Sequence, residues 1–137
     1  MPTVCGSCLC GTIQYTSSAL PVLTAFCHCR DCQKAGGGGY SVNVAVPSAS
    51  LQISGTPQTY NTVGASGLPV VRRFCSRCGS ALFTDATAFA GITFVKGGSL
   101  DDPSWIESTL HIWCDSAQPW DKLPDAATCV PRNPSSG

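Results

Sequence analysis

Charge is scarce in this sequence. Its 137 residues carry eight basic and eight acidic side chains, 12% in all. These cancel, so no positive excess marks a surface for nucleic acid or anionic membranes. General acid–base chemistry has few candidates: His28, His111, one glutamate (Glu107) and seven aspartates. No apolar run nears the roughly 18 residues of a membrane span, and the opening MPTVCGSC lacks the basic and apolar regions of a signal peptide. The expectation is a soluble cytoplasmic protein with a small-molecule substrate, no nucleic acid and no membrane partner; the oligomeric state is left open. Also missing is any stretch that keeps apolar residues at i, i+3, i+4 and i+7 for three turns, which excludes a helical bundle.

What is present is strand signal. GTIQYT, PVLTAF, YSVNVAVP, LQISG, QTYNT, PVVRRF and ITFVKGG are short β-branched and aromatic segments separated by Gly, Pro and Ser. Period-two alternation shows at Ile13 and Tyr15 and at Val42, Val44 and Val46. A mainly β protein follows, with single helical turns expected after Cys29 and at DDPSW. With 43% hydrophobic residues the chain suits one small domain, expected over residues 1–128, with 129–137 as a flexible C-terminal tail.

The ten cysteines fall into clusters, which favours metal binding over a disulfide framework. Cys8 and Cys10 form CxC, Cys27, Cys29 and Cys32 form CxCxxC, and Cys75 and Cys78 form CxxC followed by Gly79. CxxC-Gly is the turn of a zinc knuckle, whose two thiolates need two more ligands. A CxC on a strand or bend could supply them, since alternate side chains of an extended segment share a side. Spacing alone leaves open a second four-cysteine site closed by Cys5 or Cys114, and iron in place of zinc. A three-thiolate site would be the open kind, with a position for substrate.

GSCLCGTIQY, CHCRDCQKA, RRFCSRCGSALF, VKGGSLDDPSW and HIWCDSAQPW, in that order from about residue 6 to 124, resemble the glutathione-dependent formaldehyde-activating enzyme family, which also contains the centromere protein V domain. The resemblance implies a single small domain of twisted antiparallel sheets organised around zinc–cysteine sites, with two zincs per chain. Cys8, Cys10, Cys75 and Cys78 would hold a structural zinc and Cys27, Cys29 and Cys32 a catalytic one. It also implies a carbon–sulfur lyase-type enzyme, an S-(hydroxymethyl)glutathione synthase, with glutathione as cosubstrate. Two other readings stand beside it: a specialised lyase, decarboxylase or dehydratase on a biosynthetic intermediate without glutathione, and a non-catalytic zinc-stabilised interaction module. Balanced charge and the lack of charged interaction segments favour the enzyme.

Chemistry supports an open thiolate site independently. A free thiol with pKa near 8.5 is mostly protonated at neutral pH, and a metal position can hold it as the nucleophilic thiolate or polarise a carbonyl. Asp31, inside the CxxC loop, could cap the turn or accept a proton. His111 alternates with Trp113 and is a further catalytic candidate, whereas His28, between two ligands, should point away from them. Gly37 and Gly38 offer close backbone approach and, with Tyr40 and Trp113, are expected to contact substrate. Arg72 and Arg73 should face opposite sides of their strand, and the three tryptophans should be mainly core.

Overall fold

The structure, a computed structural model, describes residues 2–133. In chain order its elements are β1 (Cys5–Ser7), β2 (Gln14–Ser17), β3 (Leu23–Cys27), the helix α1 (Arg30–Gly36), β4 (Ser41–Pro47), β5 (Leu51–Ser54), β6 (Gln58–Val63), β7 (Pro69–Phe74), β8 (Ala81–Ala86), β9 (Ile92–Lys96), β10 (Leu110–Ile112) and β11 (Thr128–Cys129), with short 3-10 turns between. Strands β1, β2 and β5 make a small sheet; the other eight form a large one in the order β11-β10-β3-β4-β9-β8-β7-β6. The mainly β class is as the alternation implied. Not every pairing is antiparallel: β10 runs parallel to both β3 and β11.

Alternation divides the large sheet into two unlike faces. Val44 lies opposite Val95, and Val95 opposite Phe83. All three are buried. With Val46 they pack against Tyr15 of the small sheet and Ile13 just before it, and the Tyr15 ring meets Phe83 edge-on at 5.1 Å between centroids. Burying these apolar groups is the main term holding the two layers together, at roughly 25 cal/mol per Å² of apolar surface removed from water. The residues one step along point the other way. Asn43 is paired with Lys96, Thr84 with Phe94 and Arg72 with Thr84; together they form the floor of a groove.

Arg72 and Arg73 do face opposite sides. Arg73 Nη2 pairs with Asp85 Oδ2 at 2.9 Å, and its guanidinium lies 4.8 Å from the Phe83 ring centre, on the packed face. Arg72 is left for the groove.

Four expectations need correction. DDPSW is a turn and not helical, because Asp102 Oδ1 accepts from both Ser104 N and Ser104 Oγ (3.0 and 2.6 Å), which satisfies the backbone without a helix. Strand β8, ALFTDA, carried too little β-branched signal to stand out. The first residues of the expected flexible tail make backbone contacts: Cys129 pairs with His111, and Cys114 N and Trp113 N donate to Val130 O and Arg132 O. Residues 134–137 of that tail lie outside the described residues. Finally, Trp105 and Trp113 are half-buried, but Trp120 is 69% exposed.

Candidate metal centres and catalytic cavity

The first cluster joins two turns far apart in sequence. Cys8 and Cys10 sit in a tight turn, not an extended strand: Cys8 N donates to Ile13 O and Gly11 N to Cys8 O (3.0 and 3.1 Å). Leu9 between them points into solvent, 87% exposed. Opposite, Gly79 at φ 78° closes the CxxC turn through Gly79 N to Cys75 O at 2.8 Å; a Cβ there would be strained. The four sulfurs lie within 4.8 Å of one another, with Cys8–Cys10 and Cys10–Cys75 at 3.6 and 3.8 Å. A tetrahedral ion bonded to sulfur at about 2.3 Å would space its ligands about 3.8 Å apart. The donor set therefore fits such an ion. Hydrogen bonding from the Ser80 hydroxyl and backbone holds the Cys78 thiol down at about 5.

The second cluster is built within one short segment. Cys27 ends β3, Cys29 caps α1, and Cys32 sits in its first turn. Cys32 N donates to Cys29 Sγ at 3.3 Å, so the N-cap is a thiol. Gln33 anchors the helix, its Nε2 donating to His28 O and Ser116 O (2.7 and 3.0 Å). The three sulfurs also lie within 4.8 Å of one another. Hydrogen bonds from Cys27 and Cys29 hold the Cys32 thiol far below its ordinary range, helped by the Lys96 charge. Cys27, bonded to both partners and desolvated, is pushed far up. Neither Cys5 nor Cys114 joins either cluster among the described residues; burial pushes the Cys114 thiol up to about 11.

The second cluster opens on a groove. Cys27, Cys29 and Cys32 line a cavity of about 340 Å³ with Asp31 and Trp113, within the size range of small-ligand pockets. A neighbouring cavity of about 460 Å³ is lined by Tyr40 and Gly36. Cys32, Arg72, Thr84 and Lys96 line both. Gly37 and Gly38 line neither; Gly37, at φ 81°, is the left-handed residue that ends α1. Gly39 is glycine for space, since a Cβ would come within 2.9 Å of Asp121 Oδ2 and 3.0 Å of Trp120.

His111 lies behind the cluster and not on a cavity wall. It is 2% exposed and His28 is fully buried. His28 Nε2 and His111 Nδ1 are 2.8 Å apart, and His111 Nε2 meets Ser108 Oγ at 2.8 Å. His28 Nδ1 is 3.1 Å from Asp121 Oδ2, close enough for an ion pair, though the two atoms are not aligned as a hydrogen bond. Burial, then the neighbouring His28, lowers the His111 pKa. Sequence reasoning passed over Asp121, Asn43, Thr84 and Lys96. The signal for Lys96 was there: in ITFVK, Ile92, Phe94 and Lys96 alternate against Thr93 and Val95.

The family model for glutathione-dependent formaldehyde-activating enzymes matches residues 3–116. The chain belongs to that family. A Halomonas elongata protein that carries the provisional name of glutathione-dependent formaldehyde-activating enzyme is 40% identical over 83 residues, 57% of this chain and 53% of that protein. The match thus spans about half the length of that curated relative. A crystal structure of a Rhodobacter sphaeroides protein superimposes with a TM-score of 0.58 at 17% identity, covering 72% of this chain and 88% of that one, and supports the fold of this formaldehyde-activating-enzyme-family domain. No helix among the described residues is long and apolar enough to cross a membrane.

Proposed function

We propose that this family member is a zinc-dependent carbon–sulfur lyase-type enzyme that joins the glutathione thiol to formaldehyde, giving S-(hydroxymethyl)glutathione. The observation that carries the reading is the contrast between the clusters: four thiols converge in one, and three converge beside a cavity in the other. Cys8, Cys10, Cys75 and Cys78 would hold a structural zinc; Cys27, Cys29 and Cys32 would hold a second with one position free. Bound there, zinc would keep a thiol as thiolate at neutral pH and act as a Lewis acid. Retaining ten reduced thiols suits a reducing compartment such as the cytoplasm.

The chain's own residues do the rest. The cavity walls, Ile112 and Phe94 among them, exclude water and hold thiol and aldehyde together, which favours addition by proximity. As the sulfur–carbon bond forms, the C=O π bond breaks and the aldehyde oxygen takes up a proton. Asp31, which lines the cavity, would accept the proton that leaves the thiol. Gln33 and Cys29 fix the turn so that the three sulfurs keep their spacing.

The test is zinc stoichiometry on fresh protein with and without glutathione, alongside exchange NMR of formaldehyde with glutathione. About two zincs per chain, one of them perturbed by glutathione, together with accelerated exchange, is expected. Two inert zincs and no acceleration would discard the reading.

A further inference from the structure

The groove carries more basic side chains than acidic ones. Arg30, Arg72 and Lys96 line the first cavity against one carboxylate, Asp31. The second has Arg72, Arg73 and Lys96 and no acid, and Arg73 is paired on the opposite face. Lys96 is spoken for in part. Its Nζ donates to Asn43 Oδ1 at 2.7 Å, and it is close enough to the three thiols to feel their charge. Burial, with Arg72 nearby, lowers the Lys96 pKa, so Lys96 and Arg72 share one region of the groove floor.

Arg72 and Thr84 are paired across β7 and β8 and line the same two cavities, and among the described residues Arg72 has no ion pair and Thr84 Oγ1 no hydrogen-bond partner. Arg72 offers a planar fork that matches a carboxylate with two parallel N–H donors, and Thr84 a further O–H donor. Filling the site would remove the cost of leaving the Thr84 hydroxyl buried and unmade. The position between the cavities also matters: a molecule fixed there can extend into either one while its reactive end reaches the thiols, because Cys32 lines both.

We infer that Arg72 and Thr84, flanked by Lys96, form a carboxylate-binding subsite that selects a thiol cosubstrate bearing a carboxylate and positions its sulfur at the Cys27–Cys29–Cys32 cluster. The inference rests on the reading of that cluster as a thiol-binding site and adds the residues that would decide which thiol is accepted. Arg72 and Thr84 act here as specificity residues, touching the carboxylate and not the reacting atoms.

The experiment is calorimetric titration of metal-loaded protein with glutathione and with its dimethyl ester, for the unaltered chain, Arg72→Gln and Thr84→Val. Far-UV circular dichroism and zinc content check each variant. Glutathione should bind about tenfold or more tighter than the ester, Arg72→Gln should erase that difference while leaving ester binding unchanged, and Thr84→Val should weaken glutathione by about fivefold. Neither side chain is paired among the described residues, so both variants should fold, and Thr84→Val, close in shape, guards against failure of the first. Equal binding of acid and ester, no glutathione binding, or a loss in Arg72→Gln that falls equally on both thiols would overturn the subsite. The underlying catalytic reading fails separately, through absence of formaldehyde exchange in a protein that still discriminates acid from ester.

Discussion

The two cysteine clusters use the same ligand chemistry at opposite ends of a structural contrast. The four-thiol cluster draws its members from turns 65 residues apart, Cys10 to Cys75, and two of them, Cys8 and Cys75, belong to the apolar core. The three-thiol cluster spans six residues of one strand–turn–helix unit and faces a cavity. Long-range crosslinking is worth most to a fold, since it closes a large loop, while a locally made site can lose its ion and keep its scaffold. On the proposed reading, position in the chain, more than ligand identity, would separate a clamp from a reactive centre.

The sharpest way to break that comparison is to delete one thiol from each cluster. Cys75→Ala should abolish cooperative folding, because it removes a core residue and a metal ligand together. Cys29→Ala should keep a native circular dichroism spectrum and a cooperative thermal transition, lowered modestly by loss of the α1 cap and of one bound ion, while losing one zinc equivalent and the formaldehyde exchange. If Cys29→Ala unfolds as Cys75→Ala does, the division of labour is wrong.

A second, smaller effect concerns the layer behind the three-thiol cluster. Because the folded-state pKa of His111 is lowered, the unfolded chain takes up a proton that the folded chain refuses at intermediate pH. The stability from this group is complete above the ordinary histidine value of about 6.5, and is lost as pH falls toward and through the lowered value. His111→Gln should flatten this acid limb in urea melts run at a series of pH values. At neutral pH it should cost about 1–3 kcal/mol, by stranding Nε2 of the buried His28. A variant with the parent's pH slope would assign the acid sensitivity elsewhere, to the thiols.

The smallest effect tests the loop after the cluster. Gly39→Ala meets Asp121 and Trp120 and should cost about 1 kcal/mol. Gly38→Ala meets nothing within 4 Å and should be neutral or slightly stabilising. Paired thermal melts decide it, and equal shifts would mean that Trp120, being exposed, yields without cost.

Local patterns were legible before the structure and distant juxtapositions were not. CxC, CxCxxC and CxxC-Gly announce themselves because ligand spacing is short-range, and the opposite aims of Arg72 and Arg73 follow from strand parity. The approach of Asp121 to His28, or of Lys96 to the thiols, depends on strand order in the large sheet, which no local window encodes. The weakest strands were missed for ordinary reasons. β8 mixes Ala and Asp with its apolar residues, and the two residues of β11 hold their place only because β10 offers an edge. Gly37 and Gly38 were expected at the substrate, whereas the structure gives Gly37 a conformational role and its neighbour Gly39 a steric one.

The unlike faces of the large sheet have an evolutionary consequence. Along β7, β8 and β9 side chains alternate between layers, Phe83 and Val95 in the packing layer and Arg72, Thr84 and Phe94 in the groove, with Arg73 and Phe83 also bordering the second cavity. A change at Arg72, Thr84 or Phe94 therefore leaves most of the adjoining layer's volume untouched, and the barrier between the two is a single backbone thickness. Such a sheet is an insulator between foldability and substrate choice, so relatives of this domain can diverge in what they accept while inheriting the same interior.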